Sequence, residues 1–269
     1  GNPMLPIGEF SKICNITTKT LRYYDEIGLL KPSIVNGHNG YRYYDVQQLK
    51  TILLITKLKK YGCSLEEIEL ILRDPCGDKL PRMIRQKQQQ LQTQLENQQS
   101  VLQQLADDIS KLEKGIDIMA YLDNIAVELV ETAPRNILYA RQKMSIDEYC
   151  KYFGQLFETI AREKLTCLGA PIAIYHDKEF NPASNDTEIA IPIAEKNSRT
   201  RELAGGLCAK GVHRGAYSEL PSTYTRIVQW MEENGYQIAA PPYEIYVTDP
   251  AVIKSPDDYV TEIYFPIKK

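Results

Sequence analysis

The sequence predicts an α+β chain of several domains. These are a winged helix-turn-helix head, a long heptad-patterned helix, and a tail made of a duplicated βαββ unit. Three observations carry this. Short helical segments joined by turn chemistry fill the first 75 residues, apolar residues recur at heptad spacing from 84 to 119, and two tail stretches repeat at offsets of 71 and 74. A length of 269 residues suits two domains plus a joining element. The expected boundaries are 4–75, 76–121 and 122–269.

In the head, Ile7, Phe10 and Ile13 share one helical face, and Asn15-Ile16 turns the chain. Thr17 is a candidate N-cap for a helix from Thr18 to about Ile27, which Gly28 ends. A second helix so placed presents Thr17, Thr18, Lys19 and Arg22 early, where a recognition helix meets base edges and phosphates. Asn36-Gly37-His38-Asn39-Gly40 is turn chemistry, and Tyr41-Arg42-Tyr43-Tyr44 reads as a strand, together a small wing. Asp45-x-x-Gln48 and Ser64-x-x-Glu67 read as capping boxes that open two further helices.

From Asp78 to about Tyr121 the apolar positions are 84, 91, 95, 102, 105, 109, 112, 116 and 119, with Gln98 filling the skipped seam position. That is a narrow seam of about five heptads, flanked by glutamine-rich faces. No other segment matches it, so the expected partner is a second copy, giving a homodimer.

The net charge of −3 argues weakly against nucleic acid, yet it averages unlike parts: +2 over 1–75, zero over 76–120 and −5 over 121–269. The eighteen tyrosines split six, none and twelve over the same segments. No apolar run is long enough to span a membrane, and no secretion signal is legible. The six cysteines form no CxxC pair and read as reduced thiols; a cytoplasmic location without metal or cofactor is expected.

In the tail, strands are expected at 127–132, 136–143, 171–176, 187–194, 207–217, 243–248 and 260–267, with helices at 145–164 and 222–234. Pro171-Ile172-Ala173-Ile174-Tyr175 aligns with Pro242-Tyr243-Glu244-Ile245-Tyr246, and Thr187–Ile193 aligns with Thr261–Ile267. Such a duplication suggests two small sheets with helices on one side and a cleft between them. Ala173 becomes Glu244 and Ala190 becomes Tyr264 in the second copy. A mid-strand Glu244 is either solvent-facing or buried, and a buried carboxylate needs a cation or a raised pKa. Carboxylate and tyrosine faces suit a lipophilic cation. Tyr149, Tyr152, Tyr217, Trp230, Tyr246 and Tyr264 are the aromatic candidates for such a pocket.

The ordered string Ile7-Gly8-Glu9, Thr18-x-x-Leu21-Arg22-Tyr23-Tyr24-Asp25-x-x-Gly28-Leu29-Leu30-Lys31-Pro32 and Tyr41-Arg42-Tyr43-Tyr44 resembles the MerR family of transcription regulators. The resemblance implies an antiparallel coiled-coil dimer on promoter double-stranded DNA. Such a dimer distorts a spacer too long for RNA polymerase, and so activates. It implies that Thr18, Lys19, Arg22 and Tyr23 serve the recognition helix, that Tyr24 meets phosphate, and that Tyr41, Arg42 and Tyr43 serve the wing. Tyr243-Glu244-Ile245-Tyr246-Val247-Thr248-Asp249-Pro250 resembles the strand motif of GyrI-like effector domains, and the whole chain resembles BmrR-type multidrug-sensing regulators. That implies Glu244 as the anchor for a cationic drug, with Tyr259 at a pocket position. Three other readings remain: a metal or redox sensor using Cys76, a GyrI-like hydrolase with Glu244 as general base, and a gyrase-inhibitor type of sequestering module.

Overall fold

The computed structural model describes residues 3–269, which divide into two compact bodies on either side of the Ser110–Lys111 boundary.

In the first body β1 (Met4–Pro6) leads into α1 (Ile7–Cys14) and α2 (Thr18–Glu26). The turn between the helices uses Asn15 at φ 55°, a left-handed conformation that asparagine tolerates. Thr17 caps α2 by accepting from the Thr20 N–H at 3.1 Å, and Gly28 at φ 76° follows the helix. Strands β2 (Ile34–Val35) and β3 (Arg42–Asp45) form the wing. β1, a strand with no legible sequence signal, pairs with the far edge of β3. α3 (Gln48–Lys60) and α4 (Leu65–Arg73) complete the head. Gln48 reaches back to the Asp45 N–H at 2.9 Å, while the Asp45 carboxylate accepts from Gln47 instead of Gln48. Ser64 and Glu67 close a full capping box. Phe10, Leu21, Tyr24, Tyr44, Ile52, Ile55, Leu58 and Ile68 form the buried core, with Tyr44 stacked on Phe10 at 4.4 Å.

α5 (Lys79–Glu113) is a single helix of 35 residues with no buried residue. Its seam residues Leu91, Leu95, Leu102, Leu105, Ile109 and Leu112 are all more than half exposed. The helix ends sooner than the apolar spacing implies. Gly115 adopts φ 72°, and the Ile116 N–H bonds the Lys111 carbonyl, closing a Schellman-type cap. Ile116 and Met119 therefore lie beyond the helix.

The second body starts with a 3-10 turn (Ala120–Asn124), then β4 (Val127–Thr132), β5 (Arg135–Met144), α6 (Tyr149–Glu163), β6 (Ile172–Tyr175), β7 (Asn185–Pro192) and β8 (Thr200–Leu203). β9 (Gly206–Arg214), α7 (Leu220–Glu233), β10 (Gln237–Ile238), β11 (Tyr243–Tyr246) and β12 (Val260–Lys268) follow. The repeat is present as β5-α6-β6-β7 and β9-α7-β11-β12. The expectation of two sheets is corrected: there is one nine-stranded sheet, in order β4-β9-β12-β11-β6-β7-β5-β8, with β10 beside β12. β6 and β11, the unsatisfied edges of the two halves, pair antiparallel, which removes two exposed edges at once.

The halves also exchange arms. β4, which precedes the first half, pairs with β9 of the second, and β8, which precedes the second, pairs with β5 of the first. The arms leave side by side at Thr132 and Gly205. A Cβ on Gly205 would stand 2.4 Å from the Thr132 carbonyl oxygen, so only glycine fits there. Val130 and Leu203, from opposite ends of the sheet, pack on one cluster with Ile137, Ile172, Tyr243 and Tyr264. The sheet therefore curls until its ends meet over that face. α6 and α7 cover the other face, on Leu138, Ile189 and Ile191 and on Ala209, Ile263 and Phe265.

Candidate functional site

One cross-strand row runs through Ala140, Ile189, Ala173, Glu244, Ile263 and Gly211. Directly paired residues share a face, so Glu244 lies on the helix-covered face, midway between the ground of α6 and that of α7. Its counterpart in the first half is Ala173, its cross-strand partner, which offers the carboxylate no polar side chain.

Glu244 is 4% exposed. Its Oε1 accepts hydrogen bonds from Tyr175 at 3.0 Å and Tyr246 at 2.9 Å, and its Oε2 accepts one from Tyr224. Burial pushes the Glu244 carboxyl above its ordinary range, against hydrogen bonds from Tyr224, Tyr246 and Tyr175 that hold it down. Burial, followed by the neighbouring Glu244 charge, also pushes the Tyr224 phenol up strongly. For Tyr175 and Tyr246 burial is again the first cause, so all three stay protonated donors. The site is thus an acceptor enclosed by donors and ion-paired to no Lys, Arg or His among the described residues, with the buried His213 acting on it only through space.

Aromatic faces continue from it. The Tyr246 ring meets Phe153 of α6 edge-on at 6.1 Å and Tyr217 at 5.8 Å, and Tyr217 stacks on Tyr259 at 5.0 Å. Burial, then the neighbouring Tyr259, raises the Tyr217 phenol to about 12. Tyr149 of α6 bonds Asn185 at 2.8 Å and Thr187 at 3.1 Å.

Three expected pocket residues lie elsewhere. Tyr264 follows Ile263, so strand alternation turns it to the opposite face. There it stacks on Tyr243 at 5.0 Å and lines a cavity of about 280 Å³ with Arg135 and Lys210. Trp230 comes six residues after Tyr224 on α7, about 240° round the helix, and stacks on Tyr236 at 5.6 Å. The Tyr152 hydroxyl turns to Glu148 at 3.4 Å. Two principal partners, Tyr175 and Tyr224, carried no expectation. Tyr175 aligns with Tyr246 in the repeat, a signal that was available. Tyr224 had none beyond its place on α7, because only the fold sets that helix over Glu244.

On the head, Lys19, Arg22 and Tyr23 stand at i, i+3 and i+4 of α2 and are exposed, with Thr17 at the cap and Thr18 half-buried. Tyr41 is exposed on the wing, 5.8 Å from the Tyr43 ring. Two residues differ from the expected roles. Tyr24 is 2% exposed, a core residue, and its hydroxyl accepts from Lys59 at 3.1 Å. Arg42 donates through Nε to Asp25 at 2.9 Å, tying the wing to α2. No group of three or more His, Cys, Asp or Glu able to hold a metal occurs among the described residues, and Cys76 is exposed. No helix among them is long and apolar enough to cross a membrane.

A helix-turn-helix head, a long helix with an exposed apolar seam and a curled sheet with a buried carboxylate among phenols define a ligand-responsive regulator. The GyrI-like small molecule binding domain matches residues 125–268 and the MerR HTH family regulatory protein model matches residues 5–74. The chain belongs to the GyrI-like family and carries a MerR-type head, which makes it a ligand-responsive MerR-family transcription regulator. It is 28% identical to the multidrug-efflux transporter 2 regulator of Bacillus subtilis over 97% of this chain and 96% of that one. It is 35% identical to the transcriptional regulator BrlR of Pseudomonas aeruginosa, over 48% of this chain and 47% of that one. The solved EcmrR–DNA complex in EcmrR-RPo matches with 26% identity and a TM-score of 0.51, over 98% of this chain and all of the other.

Proposed function

We propose that the chain is a cytoplasmic, dimeric activator that binds a promoter spacer through two heads, and that its 122–269 domain senses a hydrophobic cation at Glu244. The observation that carries the ligand class is the buried carboxylate with three phenol donors and no ion-paired cation among the described residues. A cation that replaces part of that donor set gains the full charge in a low-dielectric site, with cation–π contributions of about 0.5–2 kcal/mol per aromatic face. The proposed ligand contacts are Glu244, Tyr246, Tyr217, Tyr259, Tyr149, Tyr175, Tyr224 and Phe153. Relatives described as multidrug-efflux transporter regulators favour the same class. Glu244 is read as an anchor and not as a general base, because its bonded neighbours are three phenols, with no second carboxylate or nucleophile among them.

Acidity tests this reading. Only the ionised carboxylate binds a cation, and burial raises its pKa. Affinity for rhodamine 6G is expected to be flat at high pH. It should then fall about tenfold per pH unit below the raised pKa, starting above the ordinary glutamate value of about 4.3. Fluorescence titration at several pH values checks this, with His213→Gln in parallel because His213 is buried on the same face. Affinity constant through the acid range removes Glu244 as anchor. Without ligand the raised pKa has the converse effect on folding. Its stabilisation is present below the unfolded pKa and is lost as pH rises through the folded one.

For DNA, Lys19, Arg22 and Tyr23 with Thr17, Thr18, Tyr41 and Tyr43 form the proposed contact surface, with Arg42 and Tyr24 supporting it from behind. Arg22→Ala is expected to weaken operator binding about tenfold and to lower the salt slope by about one. Gel shifts at several salt concentrations measure both, and unchanged binding removes α2 as the reading helix.

A further inference from the structure

We propose that the first turn of α7 carries ligand occupancy out of the effector domain, and that the hydrogen bond between Ser222 and Tyr121 is its output contact. The proposal rests on the reading of Glu244 as the cation anchor.

Three successive residues pin that turn to three different places. The Ser222 hydroxyl meets the Tyr121 hydroxyl at 2.9 Å, on the 3-10 turn that follows α5 in the chain. Thr223 bonds His213 Nδ1 of β9 at 2.9 Å. Tyr224 donates to Glu244 Oε2. Ligand site, sheet and linker therefore converge on one helical turn.

The donors of Glu244 are unequal in freedom. Tyr175 and Tyr246 are on β6 and β11, each hydrogen-bonded on both sides at the centre of the sheet, and both serve Oε1. Oε2 has one partner, Tyr224, carried by a helix. A cation arriving at Oε2 meets this hydroxyl as the one donor it has to displace there. α7 cannot yield toward the sheet. A Cβ on Gly211 would lie 2.7 Å from Ile227 Cδ1 and 3.1 Å from Thr223 Cγ2, so the helix already rests on bare backbone. Its first turn must move outward or along its axis, and Ser222 moves with it.

Tyr121 is 44% exposed, and the segment from Gly115 to Asn124 has only 3-10 and turn structure. A shift of Ser222 thus acts on a pliable stretch that continues directly into α5. The two states would be Tyr224 on Glu244 with Tyr121 held, and cation on Glu244 with Tyr121 released.

Hydrogen–deuterium exchange on the full chain, with and without saturating rhodamine 6G, tests this. In wild type, exchange is expected to change at least about threefold both in 220–233 and in 116–124. Ser222→Ala and Tyr121→Phe should bind rhodamine 6G within about twofold of wild type and keep the α7 response. Both should lose the response in 116–124, and Ser222→Thr, which retains a hydroxyl, should keep it. A linker response of wild-type size in both variants overturns the relay, as does Glu244-dependent binding with no linker response in wild type. Equal rhodamine binding by wild type and Glu244→Gln overturns the anchor itself, and the relay with it.

Discussion

Glu244→Gln is expected to lower affinity for rhodamine 6G by about 100-fold or more, while a neutral compound of similar shape changes by less than about threefold. The substitution keeps volume and removes the charge. Breaking one side of a buried ion pair typically costs about 3–5 kcal/mol, which sets the size of the loss. Gln is the sharper test than Ala. Glu244→Ala would orphan the donors Tyr175, Tyr224 and Tyr246, and so mix a folding penalty of about 1 kcal/mol or more each into the binding result. The amide of Gln still accepts through its carbonyl. Operator affinity without ligand should stay within about twofold, since Glu244 belongs to the body that does not carry the reading helix. Parallel titrations with the cation and the neutral analogue decide it. An equal loss for both would mean that the pocket was deformed and not discharged.

The second large effect concerns α5. Leu95→Asp with Leu102→Asp is expected to turn the dimer into a monomer at micromolar concentration. The two leucines are 51% and 64% exposed in the single chain. In a symmetric pair the double variant removes four of them. Each buried leucine contributes about 1.5–3 kcal/mol, so the loss of about 6–12 kcal/mol brackets the roughly 8 kcal/mol of a micromolar dimer. Sedimentation equilibrium should give the mass of one chain, and operator binding should fall with it because two half-sites need two heads. A variant that stays dimeric would move the interface off this seam. Far-UV circular dichroism separates dissociation from unfolding, since an exposed aspartate costs a helix little.

The head was legible almost residue by residue because its signals are local. Caps, turns and helical faces at Thr17, Gly28 and Ser64 act within a few positions of the chain. The heptad seam was legible for the same reason, except at its end. There the left-handed glycine at 115 stops the helix while apolar residues continue to 119. In the tail the repeat was visible, and with it the contrast between Ala173 and Glu244.

The chemistry of the site was only half legible. A glutamate amid β-branched and aromatic neighbours marked the strand position but not its burial. Tyr264 looked equivalent to Tyr246 by composition, yet a step of one residue from Ile263 turns it to the other face. Trp230 and Tyr224 lie on the same helix, and only the docking of α7 over Gly211 chooses between them.

The sequence by itself determined the class of this protein: a helix-turn-helix reader, a self-pairing helix and a duplicated tail with one carboxylate out of pattern. Each of these is written in spacings shorter than a helix or in a repeat of aligned strands. The tertiary structure alone decided that the halves share one sheet, that their arms cross, and which phenols meet Glu244. Those depend on β6 meeting β11 and on α7 resting against Gly211, contacts between residues from about a dozen to about seventy positions apart whose partners no local pattern specifies.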